Sequence, residues 1–205
     1  MILCDIGNTT YDFYENGKKS KITLGEYDPT HEKREIFYIC VNADVSKKLK
    51  DLSNWRDLEH FIDRSRYYET MGIDRIIGCE AIKNGVIIDA GSAITVDIVR
   101  DGKFLGGYIL PGLHVSQKCY KEISVKLDYP CNFEIDLDKI PKNSQDAITY
   151  AQLGLLHRDV MHYSLPIYLT GGDAKKLKNL FKDATLDEEL LFKGMKNIMK
   201  KANLC

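Results

Sequence analysis

Two stretches decide how this chain reads: ILCDIGNTTYDFYENGKKSKITL (Ile2–Leu24) and VIIDAGSAITVDIVRDGKFLGGYIL (Val86–Leu110). Each opens as a short apolar strand that ends on an aspartate, Asp5 or Asp89. Aligning these aspartates, about 84 residues apart, places Gly7 on Gly91 and Asn8 against Ser92. Self-similarity at a fixed offset marks a duplicated structural unit. Both stretches then run through a second strand into a turn dipeptide before lysine, Asn16-Gly17-Lys18 and Asp101-Gly102-Lys103. Asn-Gly and Asp-Gly are strong hairpin signals because both central residues of a type I′ turn need positive φ. Each unit is therefore predicted as strand, glycine loop, strand, tight turn and strand.

The chemistry of that unit follows from its ends. A carboxylate leaving a buried strand can hold a cation or its water shell. The glycine two residues on lets backbone N–H groups face a phosphate with no side chain in the way. The small polar residue beyond it, Asn8 or Ser92, can donate to a phosphate oxygen. Two such units facing one another would grip a polyphosphate, and phosphoryl transfer needs little beyond positioning and charge neutralisation.

Outside the repeat, IFYICVN (Ile36–Asn42) predicts a strand and Val45–Leu52 a short helix. A strand-like piece is expected at His60–Ile62, and Ile73, Ile76, Ile77 and Ala81 fall at helical spacing. Further helices are expected from about Leu113 and over Ser144–Tyr163, with Asn143 or Ser144 as the cap, and an irregular polar segment over Lys126–Pro141. The strand PIYLT (Pro166–Thr170) runs into Gly171-Gly172-Asp173-Ala174 and a helix start, an arrangement suited to an anion or nucleotide edge. The C-terminal DEELLFKGMKNIMKKA reads as an amphipathic surface helix. Strands alternating with short helices argue for an α/β chain, and the change of character near residue 70 divides it into domains 1–70 and 71–205.

Composition narrows the function classes. The 205-residue chain is 44% apolar and 29% charged with a net charge of −1, which lacks the basic surplus that nucleic-acid binding needs. No signal-peptide pattern or membrane-length apolar run is visible, so a cytoplasmic protein without a membrane partner is expected. The six cysteines (Cys4, Cys40, Cys79, Cys119, Cys131, Cys205) show no metal-ligand spacing and read as reduced thiols, and the five histidines are scattered.

The ordered set DIGNT (Asp5–Thr9), GIDR (Gly72–Arg75), DAGSAITVD (Asp89–Asp97), GGYILPG (Gly106–Gly112) and LTGGDA (Leu169–Ala174) resembles type III pantothenate kinase. That family belongs to the actin, sugar-kinase and Hsp70-like superfamily. The resemblance implies a duplicated ribonuclease-H-like fold with two domains around an ATP cleft. It implies that Asp74 is the catalytic base for the primary hydroxyl of pantothenate, with Gly72, Ile73 and Arg75 at the substrate. Tyr67 or Tyr68 resembles a substrate-contacting tyrosine, and Ser144 the family's hydroxyl residue before a long helix. Asp5 through Phe13, including Ile6, Gly7, Asn8, Thr9 and Thr10, would line the ATP phosphates, with Asp5 holding Mg2+ through water. Ser92 stands where threonine is usual, Gly171 and Gly172 would lie near the nucleoside, and Asp89 resembles the ligand of a monovalent cation, K+ or NH4+. A homodimer is implied as well. A kinase of another small hydroxyl metabolite and a non-catalytic nucleotide-binding regulator are the competing readings.

Overall fold

Both hairpin units form as the repeat predicts in the computed structural model, which describes residues 1–204; Cys205 lies outside the described residues. Strands β1 (Ile2–Ile6), β2 (Thr10–Glu15) and β3 (Lys18–Thr23) pair antiparallel, and the turn residues Asn16 and Gly17 have φ of 50° and 79°. Strand β4 (Ile36–Cys40) then lies parallel to β1, followed by helix α1 (Ala43–Leu49) and by β5 (Trp55–Asp57) parallel to β4. The sheet order is β3-β2-β1-β4-β5. The strand expected at His60–Ile62 is instead a 3-10 turn, Leu58–Phe61, and β5 ends just before it. The turn forms because the Asp57 carboxylate accepts from the Glu59 N–H at 2.9 Å, capping a turn where alternation alone suggested a strand.

Side-chain alternation assigns the two faces of this sheet. Ile2, Cys4 and Ile6 share a core with Tyr11, Phe13, Tyr38, Val45 and Trp55. Leu3, Phe37 and Ile39 point the other way, into a core with Ile73 and Ile77 of helix α2 (Ile73–Ala81). Asp5 is two residues beyond Leu3 and so belongs to the face that carries α2.

The second hairpin repeats the design. Strands β6 (Gly85–Ala90), β7 (Ala93–Arg100) and β8 (Lys103–Pro111) pair antiparallel, with Asp101 and Gly102 at φ of 52° and 70°. Helix α3 (Leu113–Ile123) follows. The predicted Ser144–Tyr163 helix is α4 (Ser144–Thr149) and α5 (Leu155–His162) joined by a π-helical turn, Tyr150–Gly154. Strand β9 (Ile167–Thr170) is parallel to β6; helix α6 (Ala174–Leu177) and a two-residue strand β10 (Thr185–Leu186), parallel to β9, complete the order β10-β9-β6-β7-β8. Each sheet thus has its acidic strand in the centre, the hairpin on one side and two parallel strands on the other. Val86, Ile88, Ala90, Ile94 and Val96 pack with Leu153, Leu156, Val160 and Phe181 on one face. Asp89 alternates with these residues and points to the opposite face.

Helix α7 (Leu190–Lys201) does not belong with the second sheet. Phe192, Met195, Ile198 and Met199 join Leu3, Ile73 and Ile77 in the first unit's core. By compactness the chain divides into Met1–Ile82 with the segment from Glu189 onward, and Lys83–Glu188. The boundary expected near residue 70 therefore falls after α2 instead, because the apolar stripe of α2 is buried on the first sheet and against α7. No helix among the described residues is long and apolar enough to cross a membrane.

Candidate active site

In the first unit, Gly72, Ile73, Asp74, Arg75 and Tyr68 come together around the start of α2. Gly72 is the N-cap, and Asp74 lies in the first turn, where the positive end of the helix dipole favours a carboxylate. Asp74 Oδ1 accepts from the Arg75 N–H at 2.8 Å. A Cβ added to Gly72 would lie 2.6 Å from Asp74 Oδ1, so glycine clears the space the carboxylate uses. Ile73 is a core residue rather than a surface contact, at 5% exposure. Arg75 is buried, donates from Nη1 to the Tyr68 hydroxyl and sits with its guanidinium carbon 5.8 Å from the Tyr68 ring centre. The two candidate tyrosines are placed differently: the Tyr67 hydroxyl donates to Glu80 at 2.7 Å, whereas Tyr68 is exposed beside Arg75.

The Asp5 loop lies in the same unit. Asp5 is half-buried at the end of β1, Ile6 is fully buried, and Asn8 and Thr9 are exposed. The Gly7 N–H bonds to the Thr10 carbonyl at 3.0 Å, and the Gly91 N–H to the Ala93 carbonyl at 2.9 Å. These two amides close their own loops, so each glycine shapes its turn through its own N–H. One residue inside the Asp5–Phe13 stretch had no role of its own assigned from the sequence. Asp12 is the register partner of Asp5, which places both carboxylates on one face; Thr10 Oγ1 donates to Asp12 at 3.0 Å and Lys21 pairs with it at 3.1 Å. The corresponding partner of Asp89 is Thr95.

In the second unit, Asp89, Gly171 and Gly172 gather at the ends of β6 and β9. Gly171 has φ of 88°, and a Cβ there would press on Asp89 Oδ1 and the Ala90 carbonyl, so only glycine fits. The Asp173 N–H bonds to the Ala90 carbonyl at 2.8 Å, which seats the double-glycine loop beside Asp89. Ser92 is exposed, and its carbonyl accepts from the Gly112 N–H at 3.1 Å. The helix cap is Asn143, whose side chain accepts from the Asp146 N–H at 2.9 Å; Ser144 follows it, exposed, with a hydroxyl that is not the capping group. A second residue missed from sequence is Gln152 on the π-helical turn. It donates to the Pro111 carbonyl at 3.0 Å, while its Oε1 is buried without a hydrogen-bond partner among the described residues. π-Helical turns gather at functional sites, but their sequence signal is weak.

A cavity of ≈660 Å³ opens at the other end of β9, lined by residues such as Leu137, His157, Val160, Ile167, Leu180 and Asp183. None of the motif residues lines it. Burial lowers the His157 imidazole below its ordinary range, and its ring lies 5.2 Å from that of Phe181.

Two α/β units built on one repeated hairpin, each with an aspartate at the end of its central strand, define the actin-like kinase and ATPase fold class. A Sinorhizobium meliloti structure named as a 2-dehydro-3-deoxygalactonokinase shares that fold at a TM-score of 0.56 and 7% identity, over 98% of each chain. The family model for type III pantothenate kinase matches residues 58–157, the span that holds GIDR, the second hairpin and Ser144. A type III pantothenate kinase of Sulfurimonas denitrificans is 58% identical over 205 residues and all of both chains. One from Campylobacter hominis is 40% identical over 206 residues, again across both chains. A Campylobacter jejuni crystal structure described as a Baf-family transcriptional activator aligns at a TM-score of 0.88 with 36% identity over the whole of both chains. The chain belongs to the type III pantothenate kinase family, and it is an enzyme of the kinase class.

Proposed function

We propose that this protein transfers the γ-phosphate of ATP to the primary hydroxyl of pantothenate, giving 4′-phosphopantothenate, the first step of coenzyme A biosynthesis. The observation that carries this reading is the carboxylate of Asp74, placed by Gly72 at the head of α2 with the Arg75–Tyr68 pair beside it. In this role Asp74 accepts the hydroxyl proton as the acceptor oxygen attacks phosphorus. Arg75, whose guanidinium is braced by Tyr68, offsets charge on the acid end of the substrate. Ser144, exposed after the Asn143 cap, is a further proposed substrate-binding hydroxyl.

Asp5, Gly7, Asn8, Thr9, Thr10, Ser92, Gly171 and Gly172 are the proposed ATP-binding residues. Mg2+ supplies charge neutralisation at the phosphates, and the carboxylates of Asp5 and Asp12 on one face fit it. Asp89 faces Thr95 rather than a second acid, and that lower charge suits a monovalent cation, K+ or NH4+. Leu105 and Ile109, exposed on the edge strand β8, support the homodimer reading, and the family's metabolic role supports a cytoplasmic location.

The test is ADP release from ATP and Mg2+, with and without pantothenate, in potassium, ammonium or sodium. Pantothenate-dependent turnover that needs potassium or ammonium is expected. Absence of turnover in all three salts would remove the assignment and favour the regulator reading, to which the name of the Campylobacter jejuni structure points.

A further inference from the structure

The segment from Asp63 to Gly72, which leads into the candidate base, is anchored by one buried carboxylate that no motif contains. Glu80, in the second half of α2, is 8% exposed. Its Oε1 accepts from Arg66 Nη1 at 2.6 Å and from the Tyr67 hydroxyl at 2.7 Å. Its Oε2 accepts from Lys201 Nζ at the end of α7, and Asn197 of α7 donates to the Glu80 carbonyl at 3.0 Å. Burial opposes the charge on Glu80. Bonds from Lys201 and Tyr67 and the nearby cations outweigh it and hold the carboxyl below its usual range. A buried carboxylate satisfied this fully is a rigid anchor, and it fixes whatever its partners carry.

What it carries is Tyr68. Tyr67 is extended, with φ of −132° and ψ of 161°, so the next side chain leaves on the opposite side of the backbone. With Tyr67 turned in to Glu80, Tyr68 is turned out, 43% exposed, beside Arg75. Arg64 closes the rest of the segment by donating to the carbonyls of Glu69 at 3.0 Å and Met71 at 3.3 Å.

We infer that Glu80, acting through Tyr67, is a positioning residue that aims Tyr68 and Arg75 at the acceptor substrate, with Lys201 of the C-terminal helix completing the clamp. This rests on the proposed function, since it deepens the role of the same site. An ion pair that served stability alone would lower the unfolding midpoint and leave the kinetics intact. An aiming role removes binding that ground state and transition state share, which raises KM for the acceptor and spares kcat.

The experiment is a double-mutant cycle on the full chain with Tyr67→Phe, Tyr68→Phe and the pair, together with Glu80→Gln and Lys201→Met. Tyr67→Phe is expected to raise KM for pantothenate about tenfold, the effect of a modest loss of binding. KM for ATP and kcat should stay within about twofold, and the double variant should be no worse than the larger single one, because residues that act through one another are not additive. Unchanged pantothenate KM in both Tyr67→Phe and Glu80→Gln, or effects that simply multiply, would overturn the inference. Tyr67→Phe deletes one oxygen and carries the test even if Glu80→Gln does not fold. Amide hydrogen exchange over residues 64–71 reads the anchor without any substrate. Faster exchange in Tyr67→Phe supports the clamp and unchanged exchange refutes it, whereas a wild type that ignores pantothenate refutes only the choice of substrate.

Discussion

Replacing Asp74 by asparagine is expected to lower kcat by about 10²–10⁴-fold, the usual contribution of a positioned general base. Asparagine keeps the size of the side chain, and its carbonyl oxygen can still accept from the Arg75 N–H that now bonds to Oδ1. The helix start is therefore preserved and only the proton acceptor is lost. Binding of ATP, followed by equilibrium dialysis or by calorimetry, should match the wild type. A variant that turns over at near wild-type rate would remove Asp74 from the reaction. One that also failed to bind ATP would show that the substitution had damaged more than proton transfer.

The largest expected effect on stability is that of Gly194→Ala. Gly194 lies in α7 where the helix runs against α2, and a Cβ there would fall on the Ile77 carbonyl, with Ile77 Cγ2 2.9 Å away. Alanine in a helix interior gains about 1 kcal/mol over glycine from backbone entropy. Overpacking a filled core costs up to about 3 kcal/mol, and here the obstacle is backbone that cannot rotate aside. Ile77, Met195 and Met199 are each 0% exposed, so the clash falls inside the core and no side chain can relieve it by swinging into solvent. The packing cost wins, and a net loss of about 2 kcal/mol is expected from urea unfolding midpoints. Because Asn197 and Lys201 ride on the same helix, KM for pantothenate should rise in parallel. Equal or greater stability in the alanine variant would mean that α2 and α7 have room between them.

The parts of the fold legible in the sequence are those fixed by short-range chemistry. Asn16-Gly17 and Asp101-Gly102 announce their turns because few residues tolerate the positive φ that both hairpins use. The two acidic strand ends were visible because they recur in register. The helix start at Gly72 and the bend at Gly171 were visible as motifs, although the reason glycine is needed there, a carboxylate oxygen where each Cβ would sit, emerged only with the structure.

The duplicated α/β plan, the order of the motifs and the membership in a kinase family can be read from residues alone, since all three are written in local patterns that survive without knowledge of contacts. The folded chain was needed to show that α7 completes the first unit and that Asn143 rather than Ser144 caps α4. It also decided that Tyr67 turns inward and Tyr68 outward, and that Glu80 ties residues 66 and 67 to residue 201. Most of these depend on partners far apart in the chain. A buried charge chooses its neighbours by the cost of leaving water, and that cost is settled in three dimensions.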